Sequence, residues 1–441
     1  TGSAVVVPAH PERDHVTVSL RNVASAALEA VAGLKSGATA RLDADAEARG
    51  NLRDVARAQS HVRLTARDVR LPGALAQLGA GTIDAGARGG RGTLDLARGV
   101  AGWPGLKLEA HGQATTDGPN PLRLKVAGEL ARLAPLLGQS RASGDGVLDA
   151  TLRGRWRDPV LAGTLDLRSP AVGDIAADQA AVPFELTTRS LRLTGASVRR
   201  GRASLVATGN LGWPASDPPA VPPAQAVNVE VTAKTEGAGL EDAAPWLPPA
   251  LKGSGPVDVT AQVKGTLAAW RVRGNIASSG LKWPSVPPAR DVSIDFDATP
   301  ERIEVPALRA TMLDAPLTAK GSWRWAGGGD VEAAASGVDL SRLPGLPEKL
   351  RVEGRARVSV GAGVRDGRVT GSGRVIAERL GLGGQALGPG TADVTLHDSA
   401  VKGDLKLPEA RIAATAEGRL DGVINARATA TDFEIGPVLK Q

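Results

Sequence analysis

Apolar and polar residues alternate along most of this chain with a period of two. The pattern is clearest over 106–110, 122–126, 227–233, 257–263 and 292–298. Strict alternation is typical of β-strands that have one apolar face and one solvated face. Turn-forming pairs such as Asp-Gly, Gly-Gly and Pro-Pro interrupt it at short intervals. Parallel strands need long crossover segments, so this spacing predicts antiparallel hairpins in series.

A longer repeat underlies the alternation, with a period of about one hundred residues. Its marker is a large apolar residue, usually followed by an apolar residue three positions later and a proline soon after. The marker occurs at Leu130-Ala-Arg-Leu133-Ala-Pro135, Leu240-Glu-Asp-Ala243-Ala-Pro245, Leu340-Ser-Arg-Leu343-Pro344 and Phe433-Glu-Ile-Gly-Pro437, with a version that lacks proline at Leu20-Arg-Asn-Val23. Each copy predicts a short helix of about two turns, bent or restarted at the proline.

These markers divide the chain into repeat units. We predict an incoming strand over 1–19, four units over 20–129, 130–239, 240–339 and 340–432, and the start of a fifth unit over 433–441. We therefore expect the sequence to be part of a longer repeat protein. The predicted fold class is all-β with short helices, built as an elongated, twisted antiparallel sheet.

One face of such a sheet is apolar over its whole length and has to be covered or used. Packed sandwiches, a closed barrel, and a trough that holds an apolar ligand are three solutions. A membrane barrel is disfavoured, because a chain with no Tyr and three Phe cannot form aromatic girdles. The inward residues are mostly Ala, Val and Leu, which leave volume unfilled and favour the trough. Stacked sandwich units are the alternative.

The strongest alternating segments supply the candidate lining of the trough. The predicted lining residues are Leu106, Leu108, Leu122, Leu124, Val126, Leu165, Leu167, Val227, Val229, Val231, Val257, Val259, Val263, Val292, Ile294, Phe296, Val394, Leu396, Leu405 and Leu407.

Composition disfavours most enzyme chemistry. The chain has no Cys, and its five His are scattered, so thiolate catalysis, iron–sulfur clusters and local metal pairs are not expected. His397-Asp398-Ser399 contains triad residue types, but adjacent residues cannot converge on one reacting atom. Gly371-Ser-Gly373 lacks a dinucleotide fingerprint and is predicted to be a turn or bulge. We predict no catalytic residue, no metal site and no cofactor, and hence a protein that is not an enzyme.

Alternation also places Asp43, Asp45 and Glu47 on one face of a predicted strand. A calcium site is one interpretation, and a solvated outer face is the favoured one. Three Trp-Pro pairs begin at Trp103, Trp213 and Trp283, at strand ends. They are predicted to cover sheet edges, with a place at the rim of a trough as the alternative.

Charge gives little indication of a polyanionic partner. The 53 basic and 47 acidic residues are interspersed, and the net charge is +6. Aromatic residues are 2% of the chain, so the stacking platforms of nucleic-acid binders are not expected. No window of about eighteen apolar residues predicts a membrane-spanning helix. The first residues lack the pattern of a secretion signal, so we expect any signal or anchor to lie outside this sequence.

Three phrases resemble the AsmA-like and TamB proteins of diderm bacteria. They are Gly265-Thr-Leu-Ala-Ala-Trp-Arg-Val-Arg-Gly274, Gly154-Arg-Trp-Arg-Asp-Pro-Val-Leu-Ala-Gly163 and Gly209-Asn-Leu-Gly-Trp213. Together with the repeat pattern, the resemblance covers about 15–441. It implies a taco-shaped half-pipe in the periplasm, anchored in the inner membrane, whose groove carries phospholipid acyl chains toward the outer membrane. The implied partners are phospholipid and membrane proteins on either side. A non-transporting scaffold or assembly factor for outer-membrane proteins is the alternative.

Overall fold

The chain folds almost entirely into antiparallel β-strands joined by short connections. The structure, a computed structural model, describes residues 2–5, 13–27, 37–51, 58–90, 93–115, 121–133, 141–155, 158–173, 175–214, 223–243, 252–284, 286–342, 352–365, 367–420 and 422–431. Within these ranges it has twenty-eight strands and several short helical turns. The all-β prediction is confirmed.

The chain divides into two compact units, Thr1–Val227 and Asn228–Gln441, called here the N-sheet and the C-sheet. Each is an open antiparallel sheet in which almost every strand pairs with its neighbours along the chain. The N-sheet contains β1 Gly2–Val5, β2 His15–Ala24, β3 Thr39–Arg49, β4 Gln59–Arg70, β5 Gly81–Gly90, β6 Thr93–Trp103, β7 Leu106–Thr115, β8 Leu122–Glu129, β9 Ala142–Arg155, β10 Asp158–Val172, β11 Ile175–Ala176, β12 Gln179–Leu186, β13 Ser190–Arg200 and β14 Ala203–Gly212.

The C-sheet contains the same number of strands. They are β15 Asn228–Glu236, β16 Ala238–Gly239, β17 Pro256–Thr266, β18 Trp270–Trp283, β19 Val286–Ala298, β20 Arg302–Met312, β21 Ala315–Arg324, β22 Gly328–Asp339, β23 Val352–Arg365, β24 Arg368–Leu382, β25 Gln385–His397, β26 Ala400–Leu407, β27 Ile412–Arg419 and β28 Ile424–Ala430. The two-residue strands β11 and β16 are side pairings of β10 and β17.

Three helical turns begin at the predicted leucines: Leu130–Leu133, Leu240–Ala243 and Leu340–Arg342. Further helical turns include Gly73–Leu78 and Ala224–Ala226. The chain then returns beside the strand it left, because β8 pairs with β9, β15 with β17, and β22 with β23. The prolines that follow the three turns and the segment from Phe433 lie outside the described residues.

The predicted helix at Leu20–Val23 is wrong, because these residues lie in β2. Leu20 pairs with Ala44 and Val23 pairs with Leu42, and the register shifts between the two pairs. Asn22 has a φ of 54° at this shift. A bulge places residues three apart on the same side of a strand, so it imitates helical spacing. Helical residues begin later, at Ser25.

Buried side chains in the C-sheet gather beneath the helical turns. Leu281, Ala289, Val292 and Ala310 form one cluster, against which Leu240 packs. Leu340 forms a second cluster with alanines of β23 and β24. The core therefore lies at the strand ends that the turns cover. Among the described residues, no helix has the length and apolar character needed to cross a bilayer.

Candidate functional site: the apolar face of each sheet

Register shows which side chains share a face. In an antiparallel ladder, residues directly opposite one another point to the same side. A continuous row of such partners crosses β17–β28 of the C-sheet and contains only apolar residues and glycine. This C-row is Val259, Ile276, Ile294, Leu308, Ala319, Ala333, Val360, Gly373, Val394, Gly403, Ala416 and Ala426.

The N-sheet has an equivalent row, which crosses every strand from β2 to β14 except β11. This N-row is Val18, Ala46, Val62, Ala87, Leu96, Gly112, Leu122, Leu152, Leu161, Leu186, Leu191 and Leu211. In each sheet, then, the apolar stripe keeps to one side through successive hairpins and bulges.

The predicted lining residues fall on these faces, with one exception. Those in β7, β8 and β10 share the face of the N-row, and those in β15, β17, β19, β25 and β26 share the face of the C-row. Val227 is the exception, because it caps the turn Ala224–Ala226 and precedes β15. Val227, Val229, Val292 and Leu407 are buried, and Val394 is exposed. The other fifteen predicted residues are half-buried.

Sequence reasoning missed the stretch of the C-row from Leu308 to Gly373. There the apolar positions are largely Ala and Gly, which lower the contrast between alternate residues. The prediction that Gly371-Ser-Gly373 forms a turn or bulge is wrong. Both glycines lie inside β24, where Gly371 pairs with Ala362 and Gly373 pairs with Val360. A glycine in a strand has no side chain, so nothing projects from the sheet at that point of the row.

The centre of this face is open. Val331, Val360 and Val394 lie well inside their strands, yet they are 47%, 46% and 44% exposed. The inner face of a packed sandwich would bury such residues. By contrast, Leu340 and Leu407 beside the helical edge are 6% and 3% exposed. Among the described residues of the C-sheet, other parts of the chain therefore cover the apolar face only at the strand ends.

A cavity of about 880 Å³ extends across β20–β25 and borders the C-row. Its lining includes every member of the row from Leu308 to Val394. It also includes charged residues of the neighbouring positions, among them Lys320 and Arg374. Its volume lies within the range of small-molecule pockets. Lys320 and Arg374 alternate with row members along their strands, so their side chains point to the opposite face of the sheet.

The opposite face of the C-sheet carries charged residues in directly opposed pairs. Lys264 Nζ lies 3.0 Å from a carboxylate oxygen of Glu230, and Lys320 Nζ lies 2.9 Å from Glu332. Arg374 Nε lies 2.5 Å from Asp393. Hydrogen bonds to these acids raise the pKa of Lys320 and of Arg374. Opposite charges facing each other favour the observed register, because a one-residue slip would place them on the apolar side.

Bulges in several strands keep the apolar side chains on one side of the sheet. Asp68 and Asp291 have φ angles of 54° and 52° inside β4 and β19. Each lies between two buried residues three positions apart, Ala66 with Val69 and Ala289 with Val292. The bulge therefore restores the apolar side after a break in the period of two. Bulges also bend a strand and increase its twist.

The other chemical candidates do not assemble into a reactive centre. Asp398 lies in the turn after β25, where its N–H donates to the carbonyl oxygen of Val369 at 2.6 Å. Asp45 and Glu47 are paired with basic groups: Arg21 lowers the pKa of Asp45, and Arg49 lowers that of Glu47. Within the described ranges, no group of three or more His, Asp or Glu residues is placed to hold a metal ion.

Two tryptophans of the Trp-Pro pairs tie neighbouring hairpins together. Trp103 Nε1 donates to the carbonyl oxygen of Val69 at 3.2 Å, and Trp213 Nε1 donates to that of Thr188 at 3.0 Å. Trp283 packs against the cluster below Leu240. These half-buried rings have structural contacts, in line with the favoured prediction.

No protein-family model matches the chain, and searches of curated proteins and of solved structures found no match.

Proposed function

We propose that this chain is a lipid-binding segment of a periplasmic bridge protein in a diderm bacterium. In this proposal the acyl chains of a phospholipid lie along the N-row and the C-row while the headgroup stays in water. The segment carries lipid between the inner and outer membranes and makes or breaks no bond. The family resemblance to AsmA-like and TamB proteins belongs to the same proposal.

The observation that carries it is the open centre of a continuous apolar face. Val360 and Val394 are nearly half exposed in the middle of the C-sheet. Burial of one methylene contributes about 0.8 kcal/mol, so an acyl chain placed on this face is held without any specific contact. A large exposed apolar surface in a folded protein indicates a bound partner.

Movement along the face follows from its uniformity. Successive members of each row are aliphatic residues or glycine, so neighbouring positions offer contacts of the same apolar kind. A chain that shifts by one strand exchanges one such contact for another, and the net change in free energy is small. Continuity of the row therefore matters more than any one residue.

The half-pipe shape and the repeat of about one hundred residues are part of the proposal. Bulges in β4, β10 and β19 support curling, because they bend the strands that contain them. Six strands of seven or more residues follow each of the turns at Leu130, Leu240 and Leu340. That succession supports repeating units, which here would each supply one section of groove.

Native mass spectrometry of the purified chain, with identification of co-purified lipid, tests this function. Val360→Asp places a charge on the exposed centre of the C-row, and we expect it to reduce the amount of bound phospholipid. Ser359→Asp is the matched control, because Ser359 is an exposed neighbour on the opposite face. We expect the control to retain lipid.

The alternative is a non-transporting scaffold or assembly factor for outer-membrane proteins. It predicts a lipid-free mass and no lipid uptake from supplied liposomes. Equal lipid content in Val360→Asp and the wild-type chain would also contradict binding on the C-row.

A further inference from the structure

The connections of the C-sheet alternate between two edges. The helical edge holds the turns Leu240–Ala243 and Leu340–Arg342 and the β18–β19, β20–β21, β24–β25 and β26–β27 connections. The other edge, called here the tip edge, holds the β17–β18, β19–β20, β21–β22, β23–β24, β25–β26 and β27–β28 connections. The two edges differ strongly in the solvent exposure of their large apolar side chains.

Several large apolar residues at the tip edge are exposed. Their exposed fractions are 48% for Leu267, 43% for Trp323, 55% for Trp325, 38% for Val369, 65% for Leu420 and 77% for Val423. They come from four different hairpins. At the helical edge, the large apolar side chains that the structure describes are buried or half-buried. Of the two edges, the tip edge is therefore the one that exposes large apolar side chains among the described residues of the C-sheet.

The residues at the end of β21 are of types that favour the boundary between a membrane and water. Trp323, Arg324 and Trp325 are consecutive, and Trp325 Nε1 donates to the carbonyl oxygen of Thr299 at 3.1 Å. The indole N–H is thus satisfied while the ring stays exposed. Tryptophan prefers the boundary between water and hydrocarbon, because the ring is apolar and one edge is polar.

Charge at the tip edge is mixed. Arg324, Arg365 and Arg368 are exposed, and Arg365 and Arg368 are direct cross-strand partners. Arginines placed in this way can contact lipid phosphates. Glu301 and Asp398 occupy neighbouring turns, so the excess of positive charge is small. The exposed apolar side chains of the tip edge, rather than the charges, are therefore the main source of affinity for a lipid surface.

We propose that the tip edge of the C-sheet inserts into the interfacial layer of a phospholipid bilayer. The tips are separated side chains on successive hairpins. A folded protein partner would need a continuous complementary surface of about 800 Å² per side. The interfacial layer of a bilayer is fluid, so separated apolar side chains can insert into it without a complementary surface. This inference concerns the edge of the sheet and does not require that the rows carry lipid.

Flotation with phosphatidylcholine vesicles tests the proposal. The wild-type chain is expected to float, and to do so at about 0.5 M salt, since screening weakens only the ionic part. Leu420→Ser combined with Val423→Ser removes the two most exposed tips. We expect vesicle binding at least about tenfold weaker in this variant. Ile376→Ser is the matched control, because Ile376 is 39% exposed inside β24 on the face opposite the C-row, and this variant should float like the wild type.

A wild-type chain that stays with the soluble fraction would overturn the proposal, and so would unchanged flotation of the tip variant. Equal loss in the Ile376→Ser control would also overturn it, because the effect would then not be specific to the tip edge. Co-purified lipid separates this idea from the proposed function, because the tip variant should keep its bound lipid. Quenching of tryptophan fluorescence by brominated phosphatidylcholine, reduced in Trp325→Phe, gives an independent measure of insertion.

Discussion

Gly255 occupies a position in the C-sheet that only glycine suits. It has a φ of +132°, and a Cβ built there would lie 2.1 Å from the carbonyl oxygen of Gly280. Gly354 repeats both features, with the carbonyl oxygen of Arg379 also 2.1 Å away. Each glycine lies near the start of the strand region that follows a helical turn, where the chain returns to the sheet. A side chain at either position would be strained and would push the partner strand aside.

We predict that Gly255→Ala lowers the free energy of unfolding by about 1–3 kcal/mol, because a strained backbone conformation is added to a steric clash. The midpoint of urea unfolding measures the change. Gly327→Ala is the matched control, since nothing lies within 4 Å of a Cβ built at Gly327. Equal midpoints for the two variants would contradict this account of Gly255.

Acid sensitivity follows from one carboxylate on the polar face. Asp297 accepts hydrogen bonds from Arg271 and Arg273 and is 17% exposed. The Arg271 hydrogen bond is the main reason that the pKa of Asp297 is lowered, and Arg273 adds to it. A lowered native pKa stabilises the fold above the unfolded value, which is about 3.9. That stabilisation is lost as the pH falls through the lowered native value.

We therefore expect Asp297→Asn to be less stable than the wild type at neutral pH, with the difference shrinking below about pH 4. Urea midpoints measured across this range test the prediction. Asp404→Asn, at an exposed position of β26, serves as the control. A difference between Asp297→Asn and the wild type that is independent of pH would point to packing rather than to charge.

At the scale of the element, the helical turn Leu340–Arg342 stabilises the sheet through a single apolar anchor. Leu340 is 6% exposed and packs on Ala356 and Ala377 of β23 and β24. Since a turn of three residues has almost no helical stability of its own, its contribution comes from this packing. The same logic applies to Leu240 above the cluster around Leu281.

Leu340→Ala is predicted to destabilise the C-sheet by about 2–5 kcal/mol, because it leaves a cavity under the turn. Thermal or urea unfolding gives the measurement. Leu267→Ala removes the same atoms from a side chain that is 48% exposed, so it should change stability far less. A comparable loss in both variants would show that the turn does not depend on its anchor.

At the scale of the whole chain, the contact pattern separates residues 1–227 from residues 228–441. Each part has its own ladder of strands, and the C-sheet has its own buried clusters. Sheets built from chain neighbours depend mostly on adjacent strands, as in other repeat proteins.

We predict that residues 228–441, produced alone, fold and show a β-type circular dichroism spectrum. Their urea transition should match one of the transitions of the full chain. Loss of the β-spectrum in the isolated segment, with the full chain intact, would mean that the C-sheet requires residues 1–227.

Local patterns in the sequence were enough to predict the strands, the antiparallel order and the turns at Leu130, Leu240 and Leu340. These features depend on alternation and on residues close together in the chain. The failures are also local. Leu20–Val23 imitates a helix because of the bulge at Asn22, and Gly371–Gly373 imitates a turn because glycine is common in both settings.

The candidate site was predictable only in part. Alternation identified one side of each strand, and nineteen of the twenty predicted lining residues lie in strands on the row faces. Alternation within one strand does not show whether the apolar sides of neighbouring strands coincide. Register determines that, and register depends on bulges such as those at Asp68 and Asp291.

The sequence by itself determined that this protein is a succession of antiparallel hairpins with one apolar side, since that information lies in neighbouring residues. Tertiary structure alone decided that the apolar sides join into unbroken rows, that Val360 and Val394 stay open, and that apolar tips gather on one edge. Exposure is a property of what distant segments cover. Identical Val and Leu residues are therefore buried beneath a helical turn and exposed at a hairpin tip.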